Sequence, residues 1–130
     1  KLPAGQQVID PAIAEDVLSV LRRVTEPGGT ATLARVQGFS VGGKTGTVHK
    51  VGKGGYLDDQ YVALFVGVAP MSQPRYVTAV LVDQPLGDHY GGGLAAAPVY
   101  SRITEEVLRI QNALPERTDM RALLASSSNE

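Results

Sequence analysis

Apolar residues recur at helical spacing in two stretches, one near each end of the chain. In the first, Asp10 and Pro11 form a helix start, because the carboxylate caps free N–H groups and proline suits the first helical position. The glycines after Pro27 end this helix, and Thr30 is expected to cap a short turn through Ala34. The apolar stripe of the helix, which we interpret as a packing surface, comprises Ile13, Val17, Val20, Leu21 and Val24.

The second helical stretch covers residues 95–113, with Pro98 in its first turn. One face of this helix is apolar and is expected to cover a sheet. That face comprises Val99, Ile103, Val107 and Ile110. The pattern fades from Leu114, so we predict one folded part over residues 1–113 and a mobile polar tail over 114–130.

Three stretches between the helices have the composition of strands. Residues 38–50 combine β-branched residues with glycines, residues 61–69 are apolar on both faces, and residues 75–83 return as a further strand. The second of these predicts a central strand that is covered on each side. Two glycine-rich stretches, 51–60 and 85–93, are predicted to be loops, the first a mobile one beside a site. Short links between the strands indicate an antiparallel meander.

Composition narrows the range of partners. The chain has 130 residues, the size of one ordinary domain, and a net charge of -1, so nothing favours binding to nucleic acid or to an acidic membrane surface. Cysteine is absent, and His49 and His89 are the only histidines, so we predict no metal site and no cofactor. No apolar run is long enough to span a membrane.

Two chemistries fit the residues around Lys44. Gly38, Gly43, Lys44 and Thr45 match the phosphate-loop pattern G-x-x-x-x-G-K-[ST], while Lys44-Thr45-Gly46 is the K-T-G element of serine acyl-transferases. A phosphate loop must open directly into a helix, yet β-branched residues and glycines follow the lysine. The same residues alternate well as a strand, with Thr45, Thr47 and His49 on one face and Lys44 on the other. The sequence therefore favours the K-T-G interpretation.

The order of elements carries a family resemblance. A helix, a K-T-G strand, two apolar strands, a Gly-Gly loop and a closing helix follow one another, with distinctive runs at 41–47, 65–70 and 90–99. This arrangement resembles the C-terminal part of class B penicillin-binding proteins, most of all the division-specific D,D-transpeptidases of Gram-negative bacteria. The resemblance implies an α/β (α+β) fold of the penicillin-binding transpeptidase and serine β-lactamase type, with a three-stranded antiparallel part of a larger sheet packed by helices.

The family uses three motifs, S-x-x-K, S-x-N and K-[ST]-G, and this chain matches only the last. No serine is followed by lysine three residues later, and Ser127-Ser128-Asn129 comes after K-T-G, so we treat that S-x-N match as accidental. We therefore expect the nucleophilic serine to lie outside this chain. The chain is interpreted as a piece of a longer protein, inactive alone, whose partner is the upstream half of the same domain.

The resemblance also implies roles for residues within the matching motif. Lys44 would add positive charge beside the S-x-N serine and help to bind the substrate carboxylate. The hydroxyls of Thr45 and Thr47 would contact that carboxylate, and the Thr47 backbone N–H would be an oxyanion donor. Gly46 would leave room for a peptide along the strand edge. Strict alternation places Lys44 opposite Thr45, so the lysine has to reach around the edge of the strand.

Three further residues are candidates for the surroundings of this strand. His49 is expected at the rim of the site, and Tyr90 with Gly91 is expected to wall the cleft beside His89, although packing of this loop is an equal alternative. The implied reaction forms an acyl-serine from the D-Ala-D-Ala end of one stem peptide and transfers it to an amine of another.

The resemblance implies β-lactam antibiotics as ligands, membrane-bound division proteins as partners, and the periplasmic face of the inner membrane as the location. Three alternatives remain open at this point. One is a serine β-lactamase or D,D-carboxypeptidase, the second is a P-loop nucleotide-binding protein, and the third is a catalytically silent binding domain.

Overall fold

The computed structural model describes residues 5–87 and 89–116 of the chain. Two helices flank a three-stranded sheet, and short helical turns precede the first strand and the second helix. In chain order the elements are helix α1 (Pro11–Arg23), a 3-10 turn (Thr32–Ala34), strands β1 (Gly42–Gly52), β2 (Gly55–Ala69) and β3 (Tyr76–Asp83), a π-helical turn (Gly92–Ala96) and helix α2 (Ala97–Ile110).

Helix α1 forms where its sequence signals place it. The Asp10 carboxylate accepts a hydrogen bond from the Ala12 N–H at 2.8 Å, and Pro11 occupies the first turn. The packing predicted for its apolar stripe is met only in part within the described residues, because Val24 packs against the core while no residue of α1 itself is buried. Ile13 and Val20 remain 56% and 64% exposed. Contacts with the rest of the described chain are concentrated at the C-terminal end of the helix, where Val24 packs against the core and the Arg22 backbone approaches Gly42.

The short turn after α1 also differs from the prediction. Ala31, not Thr30, precedes the 3-10 turn, and no side chain caps it. The Thr30 hydroxyl instead lies 3.3 Å from the hydroxyl of Thr45 on β1. A threonine hydroxyl can bond a tertiary partner as readily as a nearby backbone group, so the local capping signal was overridden.

The sheet is the predicted antiparallel meander, in the order β1-β2-β3. The loop predicted over residues 51–60 is wrong, because β1 and β2 continue through it and meet at a two-residue turn after Gly52. Gly55 adopts φ 125, a conformation open to glycine, which lets β2 begin at once. Between His49 and Val51 the register shifts, and the extra residues of the bulge belong to β2.

One face of the sheet, here called the covered face, lies beneath α2. Ala63 and Phe65 on β2 are 0% exposed, and the Phe65 ring meets the Tyr100 ring edge to face at 4.8 Å. Gly67 makes this packing possible, since a Cβ there would overlap the Tyr100 ring. A tyrosine resting on a side-chain-free position thus holds the helix against the sheet.

The face of α2 that packs is not the one predicted. The buried residues are Ala97, Tyr100, Thr104 and Leu108. Val99 and Ile103 from the predicted stripe are each 42% exposed, and Ile110 is 65% exposed. Compared with the prediction, the helix is rotated about its axis, because Tyr100 fills the space above Gly67. Residues four and eight positions after Tyr100 share its face of the helix and therefore also pack on the sheet.

The opposite face of the sheet, here called the open face, carries Lys44, Val66, Val77 and Leu81. Helix α1 crosses only its beginning, where a Cβ on Gly42 would lie 2.9 Å from the backbone nitrogen of Arg22. Val77 and Leu81 are 72% and 61% exposed. The prediction that β2 is covered on each side is therefore met on one face only within the described residues.

Across residues 5–87 and 89–116, neither helix has both the length and the apolar character that a bilayer crossing requires.

Candidate active site

Lys44 lies on the exposed open face of β1, directly across from Val66 of β2. Its Nζ donates a hydrogen bond to the carbonyl oxygen of Thr45 at 2.8 Å. The side chain thus folds back along its own strand toward the backbone. Because β1 continues to Gly52 as a strand, no helix follows the lysine, and the backbone geometry of a phosphate loop is absent.

The two threonines of the motif lie on the covered face, opposite Lys44 as predicted. Thr45 pairs with Phe65, and Thr47 pairs with Ala63. The Thr45 hydroxyl lies 3.3 Å from that of Thr30, while the Thr47 hydroxyl accepts a hydrogen bond from the Gly92 N–H at 3.2 Å. Two loops therefore orient the two hydroxyls from behind the strand.

The loop that includes Gly91 and Gly92 packs tightly onto the backbone of the motif. A Cβ on Gly92 would overlap the carbonyl oxygen of Leu64 and lie 2.6 Å from that of Gly46. At Gly91, an added Cβ would lie 3.9 Å from the Thr47 hydroxyl. A Cβ added to Gly46 would lie 3.3 Å from the Leu64 side chain. Backbone thus packs against backbone on one side of the motif.

An aromatic row extends from this loop along the end of the sheet. Tyr90 stacks on Tyr61 at 4.1 Å with an interplanar angle of 16°, and Tyr61 lies 4.5 Å from the ring of His49. Tyr56 completes the row at 5.9 Å from His49. The structure therefore brings together His49 and Tyr90, two predicted site residues, through Tyr61.

Tyr61, Tyr56 and Thr30 were not predicted to belong to the site. Loss of water around the Tyr61 hydroxyl raises the pKa of that phenol, and the proximity of Tyr90 and of the Asp59 charge raises it further. Tyr61 could have been identified from its pairing with His49 across the two strands. That pairing can be predicted only when the β1–β2 turn is placed correctly. Thr30 carries no comparable signal, because its contact with Thr45 spans two separate elements.

The edge of β1 away from β2 has no strand neighbour among residues 5–87 and 89–116. Half of the backbone N–H and C=O groups of an edge strand point away from its neighbour and can pair with an extended peptide. A lysine, two oriented hydroxyls and a glycine thus lie along an open strand edge, a combination suited to binding a peptide that ends in a carboxylate.

Residues 1–105 match the family described as the penicillin-binding protein transpeptidase domain. The chain belongs to this family. Membership removes the P-loop alternative, in agreement with the strand that follows Lys44.

Named members of the penicillin-binding transpeptidase family are similar along most of the chain. The probable peptidoglycan D,D-transpeptidase PenA of Neisseria gonorrhoeae is 40% identical over 115 residues, which cover 88% of this chain and 20% of that protein. The peptidoglycan D,D-transpeptidase FtsI of Escherichia coli K12 is 36% identical over 126 residues, covering 97% of this chain and 21% of that protein. This chain therefore spans about a fifth of the length of these relatives.

A solved structure shares the transpeptidase fold. The apo structure of the TP domain of penicillin-binding protein 3 from Burkholderia pseudomallei is 44% identical and superposes with a TM-score of 0.79, over 89% of this chain and 35% of that one. The predicted fold class is thereby confirmed. Within the described part of the chain no cluster of His, Cys, Asp or Glu could hold a metal ion.

Proposed function

We propose that this chain supplies the substrate-binding edge strand of a peptidoglycan D,D-transpeptidase. The observation that carries the proposal is the open edge of β1, where Lys44 and two oriented threonine hydroxyls flank Gly46. Family membership and the relatives named as D,D-transpeptidases support it. The remainder of the domain supplies the serine nucleophile, since no S-x-x-K occurs in this sequence.

The reaction has two acyl-transfer steps. The serine oxygen attacks the carbonyl carbon of the D-Ala-D-Ala amide, the C–N bond breaks, and the terminal D-Ala leaves with a proton on its nitrogen. An amine of a second stem peptide then attacks the ester, and the serine recovers its proton as the cross-link forms. A β-lactam undergoes the same first step, because the serine oxygen attacks the carbonyl carbon of its strained amide and the amide C–N bond breaks. The opened antibiotic then stays attached to the serine.

The backbone of β1 stabilises the oxygen on which charge develops. Because Lys44 reaches the Thr45 carbonyl, we place this carbonyl on the open edge; alternation along a strand then places the Thr47 N–H on that edge too. A backbone donor of this kind contributes about 3–4 kcal/mol to the transition state. The second donor belongs to the nucleophile's own segment.

The side chains of the motif recognise the carboxylate of the departing D-Ala. Lys44 supplies positive charge from the open face, and the Thr45 and Thr47 hydroxyls donate from the covered face. Both hydroxyls are held in place from behind, so little side-chain entropy is lost when substrate binds. His49, Tyr90 and Gly91 form the wall at the far end of the strand, where aromatic faces contact the rest of the peptide.

The division-specific role is the finer part of the proposal. It rests on the relatives named FtsI, and it places the intact protein at the septum, on the periplasmic face of the inner membrane, with membrane-bound division proteins as partners. The upstream half of the domain is the partner that completes the site. The exposed apolar residues of the open face provide the surface for that half.

A fluorescent-penicillin gel with intact-mass analysis tests the proposal. The chain alone is expected to remain unlabelled, and mixing it with a separately expressed upstream half should produce a label on that half. Lys44→Ala should slow labelling at least tenfold, since charge next to the reacting groups is lost. Lys53→Ala, at the exposed tip of the β1–β2 turn, is the matched control and should label normally. A stoichiometric adduct on the isolated chain would refute the assignment.

A further inference from the structure

The chain beyond α2 folds back onto the segment that leads into β1. The backbone N–H of Glu116 donates to the carbonyl oxygen of Gly38 at 2.8 Å. Pro115 lies against the same glycine, where an added Cβ would be 3.1 Å from the proline Cβ. The residues just after the closing helix are therefore fastened to the residues just before the K-T-G strand. Of the tail predicted over 114–130, only residues 114–116 belong to the described part of the chain.

The Glu116 carboxylate extends this connection to a second segment. Its Oε2 accepts a hydrogen bond from the Ser40 N–H at 2.5 Å. Its Oε1 accepts one from the Ser72 N–H at 3.2 Å and another from the Ser72 hydroxyl. One carboxylate thus joins the start of β1 to the turn between β2 and β3.

The same two segments are also joined to each other. The Met71 N–H donates to the Ser40 carbonyl oxygen at 3.0 Å and approaches the Ser40 hydroxyl at 3.2 Å. Glu116 therefore braces an existing junction instead of forming the sole link. Removing its charge should loosen this junction without unfolding the sheet.

The acid is held in its charged form. Partial burial raises the pKa of the Glu116 carboxyl, but hydrogen bonds from Ser40 and Ser72 outweigh that effect, and the net pKa lies below its ordinary value. An ionised carboxylate that accepts backbone N–H bonds makes stronger hydrogen bonds than a neutral group would. The junction is therefore a charge-assisted one.

The location of this junction gives it a connection to the candidate site. Ser40 lies just before Gly42, where β1 begins, and Lys44 lies near the beginning of that strand. With no strand on its outer side among the described residues, β1 takes its position from β2 and from its anchored start. We propose that Glu116 is a positioning residue for acyl transfer, fixing the start of β1 so that its open edge meets the substrate correctly. This inference rests on the function proposed above.

The test uses the intact protein with Glu116→Gln. The amide keeps the shape of the side chain but removes the charge and sets an NH₂ group against the N–H donors of Ser40 or Ser72. Glu105→Gln is the matched control, because Glu105 is an exposed acid on α2. Stopped-flow acylation by a fluorescent penicillin separates the noncovalent dissociation constant from the acylation rate constant. The rate of amide hydrogen exchange measures how firmly the backbone of residues 38–47 is held.

Positioning predicts a specific pattern of results. In Glu116→Gln the acylation rate constant should fall about tenfold, since misplacing reacting groups by a fraction of an ångström has effects of this order. Exchange of residues 38–47 should accelerate, while the melting temperature stays within a few degrees of the parent value. Glu105→Gln should change none of these quantities.

Other outcomes would overturn the inference. A parent-like acylation rate would remove Glu116 from the site's support, and a loss of activity that only tracks the unfolded fraction would show a purely structural role. If Glu116→Gln fails to fold, Ser72→Ala decides, because it removes one hydrogen bond and should give a smaller slowing in the same direction; an unchanged rate there sinks the inference. If the parent protein itself is not acylated, the proposed function fails, and hydrogen exchange still tests the brace.

Discussion

The two faces of the sheet are built from similar residues and differ sharply in exposure. On the covered face Phe65 is 0% exposed and packs on Tyr100 of α2, whereas on the open face Val77 and Leu81 are 72% and 61% exposed. An apolar strand face therefore predicts burial, but it does not indicate whether the residues that bury it belong to the same segment of chain. Here one face has its cover within the chain, and the other lacks it among the described residues.

The difference matters energetically. Burying apolar surface contributes roughly 25 cal/mol per Å², so a large valine or leucine left in water forfeits about 1.5–3 kcal/mol. Burial of the open face would therefore favour association, whereas burial of the covered face already stabilises the fold. We expect mutations on the two faces to affect different measurable quantities.

The largest effect is expected on the covered face. Tyr100→Ala should lower the free energy of unfolding by about 3–5 kcal/mol, because it removes a fully buried ring and leaves a cavity above Gly67. Urea denaturation of the intact protein measures this change. Tyr56→Ala, at a tyrosine that is 76% exposed, is the control and should cost well under 1 kcal/mol. Similar costs at the two positions would show that burial between α2 and the sheet does not set the contribution of Tyr100 to stability.

A smaller effect is expected on the open face, and in a different measurement. Leu81→Asp should weaken association of this chain with the upstream half by roughly 10- to 100-fold, the equivalent of burying one leucine. Isothermal titration of the two halves measures it. Lys53→Asp at the β1–β2 turn should leave the affinity close to the parent value. Unweakened binding by Leu81→Asp would show that the open face is covered in some other way.

Thr45 tests whether the covered face also serves chemistry. Thr45→Val replaces the hydroxyl by a methyl group on a strand that tolerates β-branching, so the melting temperature should hold. Acylation of the completed domain by a carboxylate-bearing penicillin should slow by about tenfold, since one hydrogen bond to a charged group is lost. The second-order rate constant measures this. A rate constant equal to that of the parent would show that the role of Thr45 is limited to its contact with Thr30.

The strand character of β1 and the facing of its side chains could be predicted because they depend on local sequence. The residues after Lys44 are poor helix formers, and strand alternation then placed Lys44 and Thr45 on opposite faces, as the structure shows. The antiparallel meander followed from three successive strand-forming stretches. The site residues themselves remain predictions, because roles at a catalytic centre require the residues that complete it.

Long-range contacts decided what the sequence could not. The stripe that begins at Val99 is more apolar than the set beginning at Tyr100, yet Tyr100 packs because Gly67, distant in sequence, leaves room for its ring. The stacking of Tyr61 on Tyr90 likewise joins separate elements. The position of the β1–β2 turn was predicted wrongly because glycines and acids suggested a loop, while the left-handed position of Gly55 allowed a tight turn.

The smallest expected effect concerns alkaline pH. Burial raises the pKa of the Tyr100 phenol, so folding favours its neutral form. This contribution to stability is fully present below pH 10, the ordinary value, and is lost as pH rises through the folded-state pKa. In Tyr100→Phe the alkaline decline in melting temperature should be shallower than in the parent. Parallel declines would assign the effect to other groups.

The contact between Tyr100 and Gly67 also constrains how the protein can evolve. A side chain at position 67 is sterically excluded while the tyrosine ring occupies that space, and a smaller residue at position 100 leaves a void while glycine remains. Each single exchange lowers stability, although a paired exchange that moves volume from the helix to the strand keeps the packing. Among homologous sequences these two positions should therefore covary, and the lineage can cross between the two solutions only through a destabilised intermediate or a simultaneous double change.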